Sequence, residues 1–577
     1  MRSVVAIISK ATEANWARLG TIADGRLEQR ANKKRSKKTF VPTEYLTSQN
    51  TIDVIEAIVT FQKAAGCGIK DIIHTLIILQ LKQHGLCDSN GEPLGYIQES
   101  IGTNFSIQNE LCDLRLPKEH DFIGAVYQSL KCEGQKNAGG LYYTPLEIAC
   151  EMTNGFAVQR DKCFFDPCCG TGSILLSIDT DDPEALYGCD IDELAILICK
   201  VNLFCRFSDR VFKPNIVCAD FLREPVFHSI EFSYFATNPP WGADVEDCCY
   251  QNCKVVSKES ASHFLEKTLN VAPKGAIVSF LLPKALLNIA THKDIRSIIL
   301  NSARIDTLKH YPNLFTGVTT EFFNIVLTAH TEQNVDACVF KKDETFFVDP
   351  HLFLDYESYC FRLLSETDLG IQKKVYARSS YNLSNSIWAL GVVTGNNKEK
   401  LFDEKKPKSE PIFTGKDIRP FRLSEAKKYI IFDPDQLQQV AKEEIYRAPK
   451  KLVYKFVSRK LTFAIDTTGS LCLNSANILI PDIPGLSIGA VAAFLNSSLY
   501  QYLYLIMFDD PKILKKNLCK MPFPALDESD VTKLDKLVKA VIQGESSEQV
   551  IDAFVFDLFA IDSSERKRVR KVVNGKA

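Results

Sequence analysis

The chain has 577 residues, 45% of them hydrophobic and 24% charged, with 69 Lys and Arg against 71 Asp and Glu. That length holds several domains with chain enough to bury more than one core, and the composition is that of an ordinary globular protein. A formal net charge of -2 makes any polyanion-binding face a local matter, because a basic surface must be balanced by acids elsewhere.

No apolar run approaches about 18 uncharged residues, so no membrane span is predicted. The opening "MRSVVAIISK" lacks the pattern of a secretory signal, and the nineteen cysteines show no paired CxxC spacing. A reduced, cytoplasmic chain is expected, with Cys150, Cys189, Cys199 and Cys218 acting as small core residues. No metal site is expected either, since the cluster Cys248, Cys249 and Cys253 has no second pair to complete a zinc set.

Residues 1–125 read as an N-terminal helical domain. The stretch "TIDVIEAIVTFQKAAGCGIKDIIHTLIILQLKQHG" repeats apolar positions at three- and four-residue spacing and stops at Gly85. Upstream, seven Lys and Arg between Arg26 and Lys38 face one acid, Glu28, which suits either a solvated arm or a phosphate-contacting one.

From 126 to 345 short apolar runs alternate with helical patterns: "KCFFDPCCGTG", "EALYGCDID", "NIVCAD", "FSYFATNPPW", "GAIVSFLLP", "RIDTLKHYP" and "FFNIVLTAH". Such alternation predicts an α/β fold, a doubly wound Rossmann-like sheet, and the crowded last runs predict a closing antiparallel pair. From 346 to 577 strands and loops mix before a helical, basic end, giving a C-terminal α+β domain.

The chemistry-bearing residues sit at successive strand ends. "FFDPCCGTGS" runs from a strand through Asp166 into a turn with Gly170 and Gly172, where a ligand approaches backbone in a doubly wound sheet. The third glycine of the dinucleotide fingerprint is absent, which disfavours NAD. The next strand ends at Asp190, placed to accept from ribose hydroxyls, and the third at Asp220 and Phe221, a carboxylate for an adenine amine and a ring for its face. The fourth ends in Asn238, Pro239, Pro240 and Trp241. An amide oxygen and a carbonyl beside proline accept both hydrogens of an exocyclic amine, which localises its lone pair on nitrogen, and the indole offers a stacking face.

These residues resemble the S-adenosylmethionine-dependent amino-methyltransferases that modify adenine in DNA. "DPCCGTGS", with Cys168, looks like their cofactor loop and "NPPW" like their catalytic tetrapeptide, with Trp where the family has Tyr or Phe. "DFIGAVYQSL" followed by "GLYYTP" (Tyr143, Thr144, Pro145) is similar to the segment that covers the cofactor in the methylation subunits of restriction-modification systems. "YPNLFTGVTTEFFNIVL" is similar to the segment whose aromatic packs on the flipped adenine, which would be Phe315. The motif order is similar to the gamma class that includes the Taq adenine methyltransferase.

The resemblance implies a methyltransferase catalytic domain at 126–345, a target-recognition domain at 346–577, base flipping from double-stranded DNA, and methylation of adenine N6. Residues 396–460 carry 17 Lys and Arg against 10 acids, with Tyr446, Tyr454 and Phe456 interleaved, which suits duplex contacts or buried aromatics. No nuclease pattern is found, and whether a separate endonuclease or specificity subunit is a partner stays open. The alternatives are a methylation subunit that needs a specificity subunit, an RNA or protein amino-methyltransferase, and a catalytically silent DNA-binding protein.

Overall fold

The computed structural model describes residues 41, 43, 46, 48–132, 144–243, 245, 250, 252–312, 321–508 and 512–575. Tyr143, Phe315, Cys248, Cys249 and the basic run 26–38 lie outside the described residues. The chain divides into two compact units, the first ending at Leu363 and the second running on from Leu364.

In the first unit the helix Gln49–Ala65 begins where Ser48 accepts from the Thr51 N–H and ends at Gly66, whose φ of 65° only glycine adopts cheaply. The helix Ile69–Gln83 buries Ile72, Ile73, Leu76 and Ile77 on one face. These helices and Phe122–Leu130 share a hydrophobic core with the sheet.

The sheet has nine strands in the order β3-β2-β1-β4-β5-β7-β6-β8-β9. They are β1 Cys163–Asp166, β2 Leu186–Asp190, β3 Asn215–Cys218, β4 Phe232–Thr237, β5 Ile277–Pro283, β6 Ala303–Tyr311, β7 Phe322–Ala329, β8 Ala337–Lys341 and β9 Glu344–Val348. Strands β1 to β5 run parallel, and their near-continuous apolar runs reflect helices packed on both faces. The predicted antiparallel closure is present: β7 inserts between β5 and β6, antiparallel to both. The hairpin β8–β9 extends the edge beyond the predicted strands. Its five-residue strands alternate buried with half-exposed positions, too weak a pattern to read alone. Strand order reverses between β1 and β4, and in such a sheet the crevice at the carboxyl ends of those strands is the ligand position.

The second unit holds a four-stranded antiparallel sheet in the spatial order 387–390, 476–480, 451–455, 463–466. Helices Ile488–Asn496, Ser498–Met507, Glu528–Gln543 and Gln549–Leu558 enclose a core containing Tyr500, Tyr502 and Tyr504. Lys451 and Asp466 form a fully buried ion pair at 2.5 Å. Tyr446 and Tyr454 are buried, so their rings serve the core of this unit and not its surface. Among the described residues no helix is long and apolar enough to cross a membrane.

Candidate active site

Asp166 ends β1 almost wholly buried and accepts from the Cys168 N–H at 3.1 Å. Burial pushes its pKa up to about 7, against the pull of the Thr237 side chain and the Cys168 N–H and with a further push from the Asp190 charge. The native pKa therefore lies above the unfolded value of about 3.9. Between those values the native state holds more protons, so stability falls as pH rises through this window and levels off above it. Asp166→Asn is expected to remove a pH-dependent term on the order of a few kcal/mol. Urea unfolding of the ligand-free protein at pH 5 and pH 8 reads it, and an unchanged difference between the two pH values in the variant refutes the assignment.

The glycine turn is held from both sides. Asp190 at the end of β2 accepts from the Gly170 N–H at 2.9 Å and the Asp192 N–H at 3.0 Å, with the Cys168 thiol at 3.6 Å. Its carboxylate thus positions the loop and keeps lone pairs over for a ligand. From the helical side, Asp121 accepts from the Thr171 hydroxyl, from Asn202 Nδ2 at 2.7 Å and from the Gly124 N–H at 3.0 Å. Asn202 also donates to the Thr171 carbonyl at 3.0 Å and accepts from Gln80 at 3.2 Å. Asp121 is the first residue of the "DFIGAVYQSL" segment, and its role as a clasp on the loop had no separate signal in the sequence. Gly170 and Gly172 take φ of 52° and 92°.

Asp192 caps the helix Glu193–Arg206, accepting from the Leu194 and Ala195 N–H groups. Tyr127 donates to it at 2.7 Å and Lys131 pairs with it at 2.7 Å. Burial alone would raise its pKa, but the Lys131 hydrogen bond and charge bring it below the ordinary value.

Beyond β2 the side chain of Ile191 is 72% exposed, and its carbonyl accepts from the exposed Cys218 thiol at the end of β3. Ile191 thus stands exposed between Asp190 and Asp192, a position sequence reasoning passed over. Asp220 pairs with Arg223 at 3.4 Å and accepts from the Leu222 N–H at 2.9 Å. Phe221 is buried, edge-on to Phe165 and stacked on Phe264, with Lys267 over its ring at 4.9 Å.

Strand β4 ends at Thr237, so Asn238 emerges at the order reversal beside Asp166. Asn238, Pro240 and Trp241 are half-buried and Pro239 is buried. The Pro240 carbonyl accepts from the Ser260 hydroxyl at the start of helix Ser260–Val271. Nothing in the local pattern twenty residues downstream pointed to Ser260. The Trp241 indole N–H donates to the Leu281 carbonyl in β5 at 3.2 Å, and its ring lies 5.6 Å from that of Phe322. Thr144 and Pro145 are buried just ahead of helix Leu146–Met152.

Comparison with known proteins adds the family. The N-6 DNA Methylase family matches residues 118–382, and the TaqI-like C-terminal specificity domain matches residues 410–523. The Type II methyltransferase M.VspI of Vibrio sp. (strain 343) is 29% identical over 308 residues, 51% of this chain and 74% of that protein. The Type I restriction enzyme MjaVII methylase subunit of Methanocaldococcus jannaschii is 31% identical over 26% of this chain and 28% of that subunit. In fold, the chain is similar to the Type IIL restriction-modification enzyme MmeI solved in complex with DNA, with a TM-score of 0.60 at 11% identity, covering 92% of this chain and 99% of that one. With a methylase match over the sheet and a specificity match following it along the chain, this protein is an adenine-specific DNA methyltransferase of restriction-modification type.

Proposed function

We propose that the chain methylates N6 of an adenine flipped out of double-stranded DNA at a specific site, with S-adenosylmethionine as methyl donor and with the C-terminal unit that runs on from Leu364 reading the sequence. The observation that carries this reading is the position of Asn238–Trp241 just past the carboxyl end of β4, the strand that pairs in parallel with β1, which ends at Asp166 and leads into the glycine turn. The donor and the target amine would meet where strand order reverses. The bare Ile191 and the neighbouring Asp190 and Asp220 suit the adenine and ribose of the donor, and the N-6 DNA Methylase family that matches residues 118–382 uses this donor.

When bound, S-adenosylmethionine supplies an electrophilic methyl group on a sulfonium sulfur. The protein's part is to hold and orient the nucleophile. The Asn238 side-chain oxygen and the Pro239 carbonyl accept the two N6 hydrogens, concentrating the lone pair on nitrogen. The Pro240 carbonyl accepts from Ser260, and the Pro239 carbonyl is the one adjacent to Asn238 in the tetrapeptide. Trp241 provides a face for the extruded base, and Phe315 its second aromatic wall. Thr144, Pro145 and Tyr143 cover the donor. DNA as partner is supported by the fold neighbour MmeI, which was solved on DNA, and by the basic surplus of residues 396–460.

Single-molecule sequencing of genomic DNA from a host expressing this chain alone tests the reading. One methylated adenine motif, absent with Asn238→Ala, is expected. Unmodified DNA, from cells whose purified protein binds the donor, would favour a methylation subunit that depends on a specificity subunit.

A further inference from the structure

The short helix Leu146–Met152 touches both halves of the candidate site. At its end the Thr153 hydroxyl lies 3.3 Å from the Ser177 hydroxyl, in the turn Leu175–Ser177 that follows the glycine loop. On its other side Glu151 accepts from the Tyr311 hydroxyl at 2.5 Å and pairs with Lys309 at 2.7 Å, both at the end of β6. The buried Tyr311 ring stacks on Phe322 at 5.2 Å with planes 21° apart, and Phe322 in turn meets Trp241 at 5.6 Å. Trp241 is fixed at its far edge by Leu281.

A run of contacts therefore leads from the turn Leu175–Ser177 after the glycine loop, through Thr153 and the helix backbone to Glu151, and on through Tyr311 and Phe322 to the indole of the tetrapeptide. Tyr311 and Phe322 are buried rings without room to shift independently, so the orientation of one limits the next. Glu151, itself 43% exposed, joins helix Leu146–Met152 to the buried Tyr311 by accepting from its hydroxyl.

We infer that Glu151 is a positioning residue that couples the donor-binding half of the site to Trp241, so that filling the donor site sets the ring on which the target base rests. The inference rests on the proposed methylation reading and adds to it an energetic link between the two halves.

The chain has three tryptophans, Trp16, Trp241 and Trp388. With Trp16→Phe and Trp388→Phe, fluorescence reports on Trp241 alone. Titration with S-adenosylmethionine is expected to change the emission and acrylamide quenching of Trp241. Glu151→Ala and Tyr311→Phe should each remove most of that response while the donor still binds, and lower kcat for methyl transfer by about three- to tenfold with little effect on the donor KM. The double variant should lose no more than either single one, because both break the same joint. Glu151→Gln, which keeps an acceptor for Tyr311, should retain most of the response and covers the case in which Glu151→Ala unfolds. Wild-type-like Trp241 response and kcat in both Glu151→Ala and Tyr311→Phe overturn the coupling and leave the methylation reading standing. A wild-type chain that binds donor and methylates no DNA overturns both.

Discussion

Asn238→Ala is expected to lower kcat for methyl transfer by about a hundredfold to a thousandfold or more, while donor affinity changes little. The amide oxygen is the only neutral side-chain acceptor in the tetrapeptide that can take an amine hydrogen, and the loss falls on the nucleophile and not on the donor pocket. Asp166, Asp190 and Ile191 hold their places through bonds that do not involve Asn238. Single-turnover methylation of a DNA carrying the recognised motif, read beside equilibrium dialysis with labelled donor, separates the two quantities. Turnover near that of the wild type would remove the amine-holding mechanism. A parallel collapse of donor binding would place Asn238 in the wrong half of the site.

The second large effect is structural. In Gly172→Ala the new Cβ would lie 2.7 Å from the Cys199 sulfur, in helix Glu193–Arg206, at a backbone φ of 92° that side chains rarely adopt. The left-handed backbone costs about 1–2 kcal/mol, and the overlap with a fully packed thiol about 1–3 kcal/mol more. Helix and turn are both buried here, so neither can retreat. Chemical unfolding is expected to show the sum, together with weakened donor binding. Adding Cys199→Ala should return the part owed to overlap and leave the part owed to φ. Full recovery in the double variant would mean that the backbone strain is negligible, and no recovery that the sulfur was not the obstacle.

The four strand ends were legible because parallel strands buried on both faces are short apolar runs, and each here is followed by a residue of distinct chemistry: Asp166, Asp190, Asp220 and Asn238. Alternation along the chain also carried the doubly wound class and the antiparallel closure, while the order of the strands came from the structure. What the sequence hid was whatever depends on residues brought together from afar. Ser260 meets Pro240 across twenty positions and Asn202 meets Asp121 across eighty-one, and no local pattern marks such partners. Asp190 was read as a ribose acceptor, and its hydrogen bonds to the glycine turn became visible only in three dimensions. Tyr446 and Tyr454 interleave with basic residues as nucleic-acid contacts do. Tyr446 instead ends the short helix Glu443–Tyr446 and Tyr454 lies in a strand buried at four of its five positions, so both rings are in the core.

The clasp of Asp121, Asn202 and Gln80 on the glycine turn also bears on how the first unit opens. The Thr171 carbonyl and hydroxyl are bound by residues from the helical segment and from the helix after β2. The amides of the turn are held from the other side: Gly170 donates to Asp190, Cys169 to the Cys189 carbonyl in β2, and Gly172 back to Cys169. They should exchange with deuterium only when the turn parts from the end of β2, in one cooperative opening and not by fraying of a loop. A truncation that removes the helices around Gln80 and Asp121 would strip the core they share with the sheet together with the latch on Thr171.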